Sequence, residues 1–330
     1  MQKILGSRLT DVDSGAMKSP AKKSSPRSGQ HTPSTSATGR IHPVITFPFH
    51  HPANLKDLEQ LYALVARLDA DKKTYARPIT VMDCKTRAAM AKSPRHLQFR
   101  DRTVARHSDI LDAWCVDTCQ MWYSGLGAAF ERGGPNDVYW LIPGDFNYGS
   151  AMGKEVLSHL HDLPEICDEL KEDLCIGEIA TDHNNSKQLI DTYGTFALLY
   201  NWFPNEAQAI RSCTERPRSE FFAVRHGFLR DLLHHRWYAY EQTVVMLLHA
   251  VLEKKQISRY LVGNISDLPD GRESLSSAME QVERTERVLK TFWREQHDEK
   301  TAWSEHYRQL ESQSEQVRRT AFILLENLLK

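Results

Sequence analysis

The stretch Val138–Asn147, VYWLIPGDFN, contains the most strand-like run of the chain and sets the class of fold. Its first five residues are all apolar, which predicts a strand that is buried on both faces, as in a parallel sheet covered by helices. Pro143 and Gly144 end the run and place Asp145 just beyond its carboxyl end. Ligands of open α/β sheets bind at that end of the strands, so the stretch also predicts a ligand site.

Further apolar runs lie on both sides of this stretch and are separated by helical patterns. The runs are Val44–Pro48, Pro78–Met82, Leu174–Ile179 and Ile257–Ile265. Between them, apolar residues recur at helical spacing, most clearly from 55 to 68, from 110 to 129 and from 240 to 252. Strands that alternate with helices predict an α/β, Rossmann-like domain with a mostly parallel sheet.

The two ends of the chain differ in composition from this central region, 41–268. Residues 1–40 are rich in Ser, Thr, Pro, Gly and Lys, which predicts a disordered tail. Residues 269–330 contain no glycine or proline after Gly271, and their apolar residues recur in alternating steps of four and three. This pattern predicts helices that form either an oligomerising coiled coil or, with a break near 296–300, a hairpin against the central domain.

Composition argues against several classes of protein. The net charge of −1 gives no sign of nucleic-acid binding. No run of 18 apolar residues and no signal-peptide core occurs, so we expect a cytoplasmic protein, while contact of the basic tail with a membrane surface stays open. The six cysteines include no C-x-x-C pair, which fits a reducing compartment.

Common catalytic motifs are also absent. The chain has no G-x-G-x-x-G and no G-x-x-x-x-G-K-[ST], which argues against dinucleotide dehydrogenases and P-loop enzymes. It has neither H-E-x-x-H nor G-x-S-x-G, the signatures of common zinc proteases and hydrolases. The candidate site therefore rests on three strand ends: Pro48–His51, Asp83 and Asp145–Asn147. An aspartate there either binds a nucleotide or its cation, or closes a turn.

Several segments, in this order, are similar to segments of one known family. They are Val44–Leu55, Ile79–Asp83, Gly125–Phe130, Val138–Phe146, Ile176–Ile179, Ser219–Leu229, Tyr238–Gln242 and Asp270–Ser274. Their order resembles the family 2 glycosyltransferases of the GT-A fold, especially the dolichol- and polyprenyl-phosphate mannosyltransferases. The resemblance covers about residues 43–275 and depends on order and spacing rather than on one specific motif.

The resemblance implies an enzyme that transfers a sugar from a nucleoside diphosphate sugar to a sugar, small-molecule or polyprenyl-phosphate acceptor. It also implies a metal-assisted reaction, in which Mg²⁺ or Mn²⁺ holds the donor diphosphate. It implies that Asp145 and Asn147 bind the ion and that Asp83 contacts the nucleobase or ribose. Pro48 and His50 then lie in the nucleotide loop. Pro143 stands where the family has the first aspartate of its D-x-D motif.

Two further roles follow from the same resemblance. Arg225, with Ser219 and Arg218 nearby, matches a segment that binds phosphate, and a bidentate arginine suits that task. Glu241 matches an acidic patch and is the candidate base toward an acceptor hydroxyl. If the acceptor is itself a phosphate, no base is needed and Glu241 only orients groups.

Two other functions stay open. A sugar nucleotidyltransferase would share the fold, but Pro48–Ala53 lacks the basic, glycine-rich loop expected of it. A non-catalytic scaffold, oligomerised through residues 273–330, is favoured by Pro143 in place of the first metal-binding aspartate.

Overall fold

The computed structural model describes residues 39–47, 58–100, 103–106, 114–179, 186–234, 242–265 and 275–328. These residues form seven strands: β1 (Ile41–Thr46), β2 (Ile79–Asp83), β3 (Thr103–Arg106), β4 (Val138–Ile142), β5 (Leu174–Ile179), β6 (Phe222–Arg225) and β7 (Ile257–Gly263). Residues 1–38 of the predicted tail, 1–40, and the segment 269–274 lie outside the described residues.

The strands form one sheet in the order β3-β2-β1-β4-β6-β5-β7. β1 is parallel to both β2 and β4, and β5 is parallel to β7, whereas β6 is antiparallel to its neighbours β4 and β5. Every residue of β1 and β4 is buried, as expected of strands covered on both faces. The predicted α/β class with a mostly parallel sheet is confirmed.

Helices cover both faces of the sheet. The described helices are α1 (Leu58–Ala70), α2 (Cys84–Met90), α3 (Pro94–Phe99), α4 (Trp114–Phe130), α5 (Ala151–His159), α6 (Asp162–Glu169), α7 (Ser186–Ile190), α8 (Ala197–Trp202), α9 (Pro204–Cys213), α10 (His226–His234), α11 (Gln242–Leu252), α12 (Leu275–Glu295), α13 (Glu299–Ala302) and α14 (Glu305–Leu328), with a π-helical segment, Asp191–Phe196, between α7 and α8. In the ranges that the structure describes, no helix combines the length and the apolar character needed to cross a membrane.

Alternation along the strands divides the interior into two hydrophobic cores. Val44 and Leu141 face the larger core, which includes residues of α4, α8, α9, α11, α12 and α14. Ile45 and Ile142, the next residues along each strand, face a second core that includes residues of α1, α5 and α6. Because side chains of a strand alternate between faces, the unbroken apolar run of β4 supplies both cores.

The C-terminal helices form a hairpin, one of the two arrangements that the sequence left open, and not one continuous helix. α12 ends at Glu295, and Asp298 begins α13 by accepting a hydrogen bond from the Thr301 amide at 2.7 Å. The hairpin packs on α8, where the Trp202 ring contacts Trp293 and Tyr307. Oligomerisation through these helices stays a prediction.

Three elements between β2 and α4 were not expected from the sequence. α2, α3 and β3 lie between residues 84 and 106, where charged residues interrupt the apolar pattern. β3 pairs with β2 at the edge of the sheet, so it has only one neighbouring strand to satisfy. A four-residue edge strand leaves little periodicity for a sequence to reveal.

Candidate functional site

The candidate site lies at the edge of the sheet where the parallel strands end. β1 ends at Thr46 and β4 at Ile142, and these strands pair in register over most of their length. β6 runs in the opposite direction, so the chain enters it from this same edge through Ser219 and Glu220. β5 ends beside that entry, at Ile179.

Asp145 is held at this edge by the close approach of its loop to β1. The Gly144 amide donates to Thr46 Oγ1 at 3.3 Å, and a Cβ on Gly144 would lie 1.9 Å from the Thr46 carbonyl oxygen. Only glycine fits at that distance, so the turn after β4 is tight. The Asp145 side chain that follows is half-buried.

Tyr148 stabilises the loop after β4 by a hydrogen bond. Its hydroxyl donates to the Pro143 carbonyl at 2.6 Å, and its ring packs near Phe146. Burial raises the pKa of Tyr148 well above its ordinary value, and the nearby charges of Asp145 and Glu220 raise it further. Two carboxylates therefore lie near this tyrosine at the edge of the sheet.

Asn147 has a structural task in the turn before α5. Its Oδ1 accepts from the Ser150 amide at 3.0 Å, and its carbonyl oxygen accepts from Ser150 Oγ at 2.9 Å. Ser150 in turn caps α5 by accepting from the Gly153 amide at 2.9 Å. An amide oxygen has two lone pairs, so this bond leaves one for a cation, and the metal role of Asn147 stays a prediction.

The remaining nucleotide candidates are only partly described. Asp83 is the last residue of β2 and pairs with Arg106 of β3, which places it at the candidate edge; its side chain is outside the described part. Pro48, His50 and Glu241 lie outside the described residues. Their predicted roles stay predictions.

Ser219 ties the entry of β6 to β5. Its hydroxyl donates to the Gly177 carbonyl, and it accepts from the Phe221 amide at 3.2 Å. Gly177 allows this contact because a Cβ there would lie 2.7 Å from the Phe221 Cβ. Ser219 also lines a cleft at the candidate edge, so a ligand role for it stays a prediction.

Arg225 lies at the wrong edge of the sheet for its predicted role. It pairs with Val138, the first residue of β4, because β6 is antiparallel to β4. Ile142 lies four residue steps along the strand from Val138, which is roughly 13 Å. The Arg225 guanidinium is instead paired with Asp168 at 3.2 Å. The interpretation of Arg225 as a catalytic, phosphate-binding residue in one site with Asp145 is therefore wrong.

The cleft brings together Arg218, which the sequence analysis named, with three charged residues that it did not select, Asp191, Arg216 and Glu220. It encloses about 20 Å³, room for about one water molecule, and is lined by Phe146, Ile179, Asp191, Arg216, Arg218, Ser219 and Glu220. All four charged members are at least 95% buried. Charged side chains are rarely buried this far without partners, so the cluster needs a specific explanation.

One carboxylate lies between the two guanidinium groups. Asp191 Oδ1 accepts from Arg218 Nε at 2.8 Å, and its Oδ2 is 3.3 Å from Arg216 Nε. Arg218 Nη1 also donates to Gln281 Oε1 of α12 at 2.7 Å, so the C-terminal hairpin contributes to the site. The trio of Asp191, Arg216 and Arg218 carries one positive charge in excess.

Asp191 opens the π-helical segment between α7 and α8. Such wider turns are frequent at functional sites. Gly194 lies in the same segment, where a Cβ would be 2.5 Å from Val282 Cγ2, so α12 approaches closely. Nothing local in the sequence distinguishes Asp191 from a surface aspartate of a helix. For Arg216 and Glu220 a signal existed, since the charged run Arg216–Glu220 directly precedes an apolar strand.

The mostly parallel sheet, with the antiparallel strand β6 beside β4, matches the GT-A fold of glycosyltransferases. Solved structures of glucosyl-3-phosphoglycerate synthase from Mycobacterium tuberculosis are similar to this chain. Its complex with phosphoglyceric acid has a TM-score of 0.52 at 14% identity and covers 76% of this chain and 80% of that one. Its complex with Mn²⁺, UDP-glucose and phosphoglyceric acid has a TM-score of 0.53 at 15% identity and covers 76% and 79%.

A third structure of the synthase, with Mn²⁺, UDP-glucose and glycerol 3-phosphate, has a TM-score of 0.52 at 16% identity and covers 76% and 80%. No protein-family model matches this chain, and no curated protein does. Likeness at these identities shows the fold, and the predicted GT-A fold is confirmed. The narrower likeness to dolichol-phosphate mannosyltransferases stays a prediction.

Proposed function

We propose that the protein is a glycosyltransferase that transfers a sugar from a nucleoside diphosphate sugar to a small acceptor. The observation that carries this proposal is the position of Asp145. It lies beyond the carboxyl end of β4 in a GT-A fold, beside the end of β1 and near a buried, charged cleft. Ligands of such sheets bind at this edge.

The residues at this edge fit a divalent cation that is shared with the donor. Mg²⁺ is typically bound through one or two carboxylates together with substrate phosphates, and Mn²⁺ also prefers oxygen ligands. Asp145 supplies one half-buried carboxylate, and Asn147 retains one lone pair on Oδ1. A bound ion offsets the negative charge that develops on the leaving nucleotide.

UDP is the donor nucleotide to test first. The similar synthase structures contain UDP or UDP-glucose with Mn²⁺ or Mg²⁺. In this chain the nucleoside is expected at the ends of β1 and β2, where Pro48, His50 and Asp83 lie in the sequence. The diphosphate then reaches Asp145 at the end of β4, the strand next to β1.

The transfer forms one bond and breaks one. The acceptor oxygen bonds to the anomeric carbon of the sugar, the bond from that carbon to the diphosphate breaks, and the nucleoside diphosphate leaves with the electron pair. A hydroxyl acceptor also loses its proton to a base. Glu241 is the base that the family resemblance implies, and Glu220 is a second candidate because it lines the cleft.

Small phosphorylated acceptors and lipid phosphates are both to be tested. The synthase structures contain phosphoglyceric acid or glycerol 3-phosphate. The resemblance to polyprenyl-phosphate mannosyltransferases instead favours a lipid phosphate, which needs no base. Product analysis with UDP-glucose and each acceptor distinguishes the two.

The first experiment is a melting-temperature screen with UDP, GDP and ADP sugars, each with and without Mn²⁺. One nucleotide at 100 times its Kd should stabilise the protein by about 2.7 kcal/mol. Asp145→Asn should lose the metal-dependent part of the shift. Asp168→Asn is the matched control, because Asp168 is a similarly half-buried aspartate paired with Arg225 at the opposite edge.

A non-catalytic scaffold is the second candidate. Two observations favour it: Pro143 replaces the first aspartate of the D-x-D motif, and Asn147 Oδ1 already accepts a hydrogen bond from Ser150. If no nucleotide sugar changes the melting temperature, with or without Mn²⁺, the transferase proposal fails and the scaffold is retained.

A further inference from the structure

One guanidinium nitrogen in the cleft is buried without a hydrogen-bond partner among the described residues. It is Nη1 of Arg216, a residue that is only 5% exposed and lines the cleft. The other end of the same guanidinium is fixed by Asp191, 3.3 Å from Nε. A buried charged donor that lacks a partner is costly, and an anionic ligand would satisfy it.

The four charged residues that line the cleft sum to zero net charge, so the cleft suits a ligand that carries both an anionic group and a hydroxyl donor. Asp191 is shared between Arg216 and Arg218. Gln281, a further partner of Arg218, is neutral. Glu220 is the other charged group that lines the cleft, and its carboxylate favours a hydroxyl donor over a second anion.

The order of the strands separates this cleft from the expected donor position. Along the candidate edge, β2 and β1 come first, β4 with Asp145 follows, and β6 and β5 with the cleft come last. Neighbouring strands are about 5 Å apart, so the cleft begins about one strand beyond the metal position. If the nucleoside lies at the ends of β1 and β2 and the diphosphate at the end of β4, the donor does not occupy the cleft. The cleft is then available to the acceptor.

We propose that Arg216 binds the anionic group of the acceptor, a phosphate or a carboxylate, within this cleft. The acceptor is then a small molecule that carries an anionic group at Arg216 and a hydroxyl near Glu220. This assignment rests on the proposed transferase function, since it takes the donor to occupy the β1–β4 side of the edge.

The test is isothermal titration calorimetry of the full chain with two separate probes. The first probe is 3-phosphoglycerate, with inorganic phosphate and glycerol as its charged and uncharged fragments. The second is UDP with Mn²⁺. The variants are Arg216→Gln, which removes the charge, and Arg216→Lys, which keeps the charge beside Asp191 and covers the case that the first variant does not fold.

Arg225→Gln is the matched control, because it removes an ion-paired arginine at the opposite edge of the sheet. We expect Arg216→Gln to weaken binding of 3-phosphoglycerate by about 10- to 100-fold, the usual range for one charge-assisted hydrogen bond. Arg216→Lys should weaken it less, Arg225→Gln should not weaken it, and glycerol should not bind. The Kd of UDP should change by less than about two-fold.

The other outcomes separate this inference from the proposed function. Unchanged binding of 3-phosphoglycerate to both Arg216 variants, or no binding of it and of phosphate to the wild type, overturns the anion site. Weaker binding of UDP in Arg216→Gln assigns the cleft to the donor and overturns the acceptor assignment. Failure of the wild type to bind any nucleotide, while Arg216-dependent anion binding persists, overturns the transferase function and leaves the anion site.

Discussion

Substitution of Leu325 by alanine tests whether the C-terminal hairpin is part of the folded core. Leu325 is fully buried and belongs to the hydrophobic cluster that α14 shares with α8, α9 and the sheet. Leu→Ala substitutions in well-packed cores cost about 2.7–5.0 kcal/mol, because the transfer energy of the lost methyl groups adds to the cost of the cavity. At about 2 °C per kcal/mol for a unit of this size, the melting temperature should fall by about 5–10 °C.

Leu328→Ala provides the matched control. It makes the same chemical change on the same helix, but Leu328 is 50% exposed. A substitution at an exposed position changes stability by about 0.5 kcal/mol or less, which corresponds to about 1 °C. Thermal unfolding followed by circular dichroism at 222 nm measures both variants under identical conditions.

Two results would refute this reasoning. Equal melting temperatures for the Leu325 and Leu328 variants would mean that Leu325 is not in the cooperative core. Two separate transitions, with only the smaller one shifted in Leu325→Ala, would mean that the hairpin unfolds independently of the sheet, as an appended coiled coil would.

The remaining predictions concern the loop after β4, the response to acid and the buried thiols. Gly144→Ala should destabilise the protein by about 2–4 kcal/mol and weaken metal-dependent UDP binding, because the new Cβ would lie 1.9 Å from the Thr46 carbonyl oxygen. Gly127→Ala is the control: open space surrounds Gly127, so this variant should be as stable as the wild type or more stable. Calorimetry measures the stability of both variants. Burial lowers the pKa of His42, despite its hydrogen bond to a carboxylate, so the unfolded chain binds a proton first as the pH falls. The stabilisation that neutral His42 gives the folded protein is therefore complete above about pH 6.5 and is lost below it. Between pH 7 and 5, the melting temperature of His42→Gln should fall less than that of the wild type. Burial raises the pKa of the Cys175 thiol to about 12, so iodoacetamide at pH 8 should alkylate it only after denaturation. Peptide mass spectrometry locates the label, and label at Cys175 in native protein would contradict the prediction.

Much of the fold follows from patterns over short stretches of the sequence. Five consecutive apolar residues at Val138–Ile142, with Pro143 and Gly144 directly after them, predict a short strand that is covered on both faces and ends there. The same logic finds β1, β2, β5 and β7 to within a few residues, because strand and helix periods are properties of the local backbone. The position of Asp145 at the edge of the sheet follows from this alone.

The residues that complete the site come together only through distant pairing. Arg225 and Asp145 both follow apolar runs, but the antiparallel insertion of β6 puts them at opposite edges, and a strand carries no local mark of its direction. Arg216 and Asp191 are joined by an ion pair between a loop and a π-helical segment.

For the C-terminal hairpin too, the sequence predicted the helices, and only the tertiary structure decided what they pack against. Its heptad-like spacing predicted apolar seams on α12 and α14, and the break at 296–298 gave the turn. The sequence left open whether those seams meet a second chain or the α/β domain, because both bury the same apolar surface. The choice depends on which surface is complementary, and here Trp202 packs against Trp293 and Tyr307, which also contact each other, and donates to Ser314 at 3.2 Å. Local periodicity specifies helices and strands and their apolar faces. Packing between residues far apart in the chain decides which surface each face contacts and which edge of the sheet each side chain reaches.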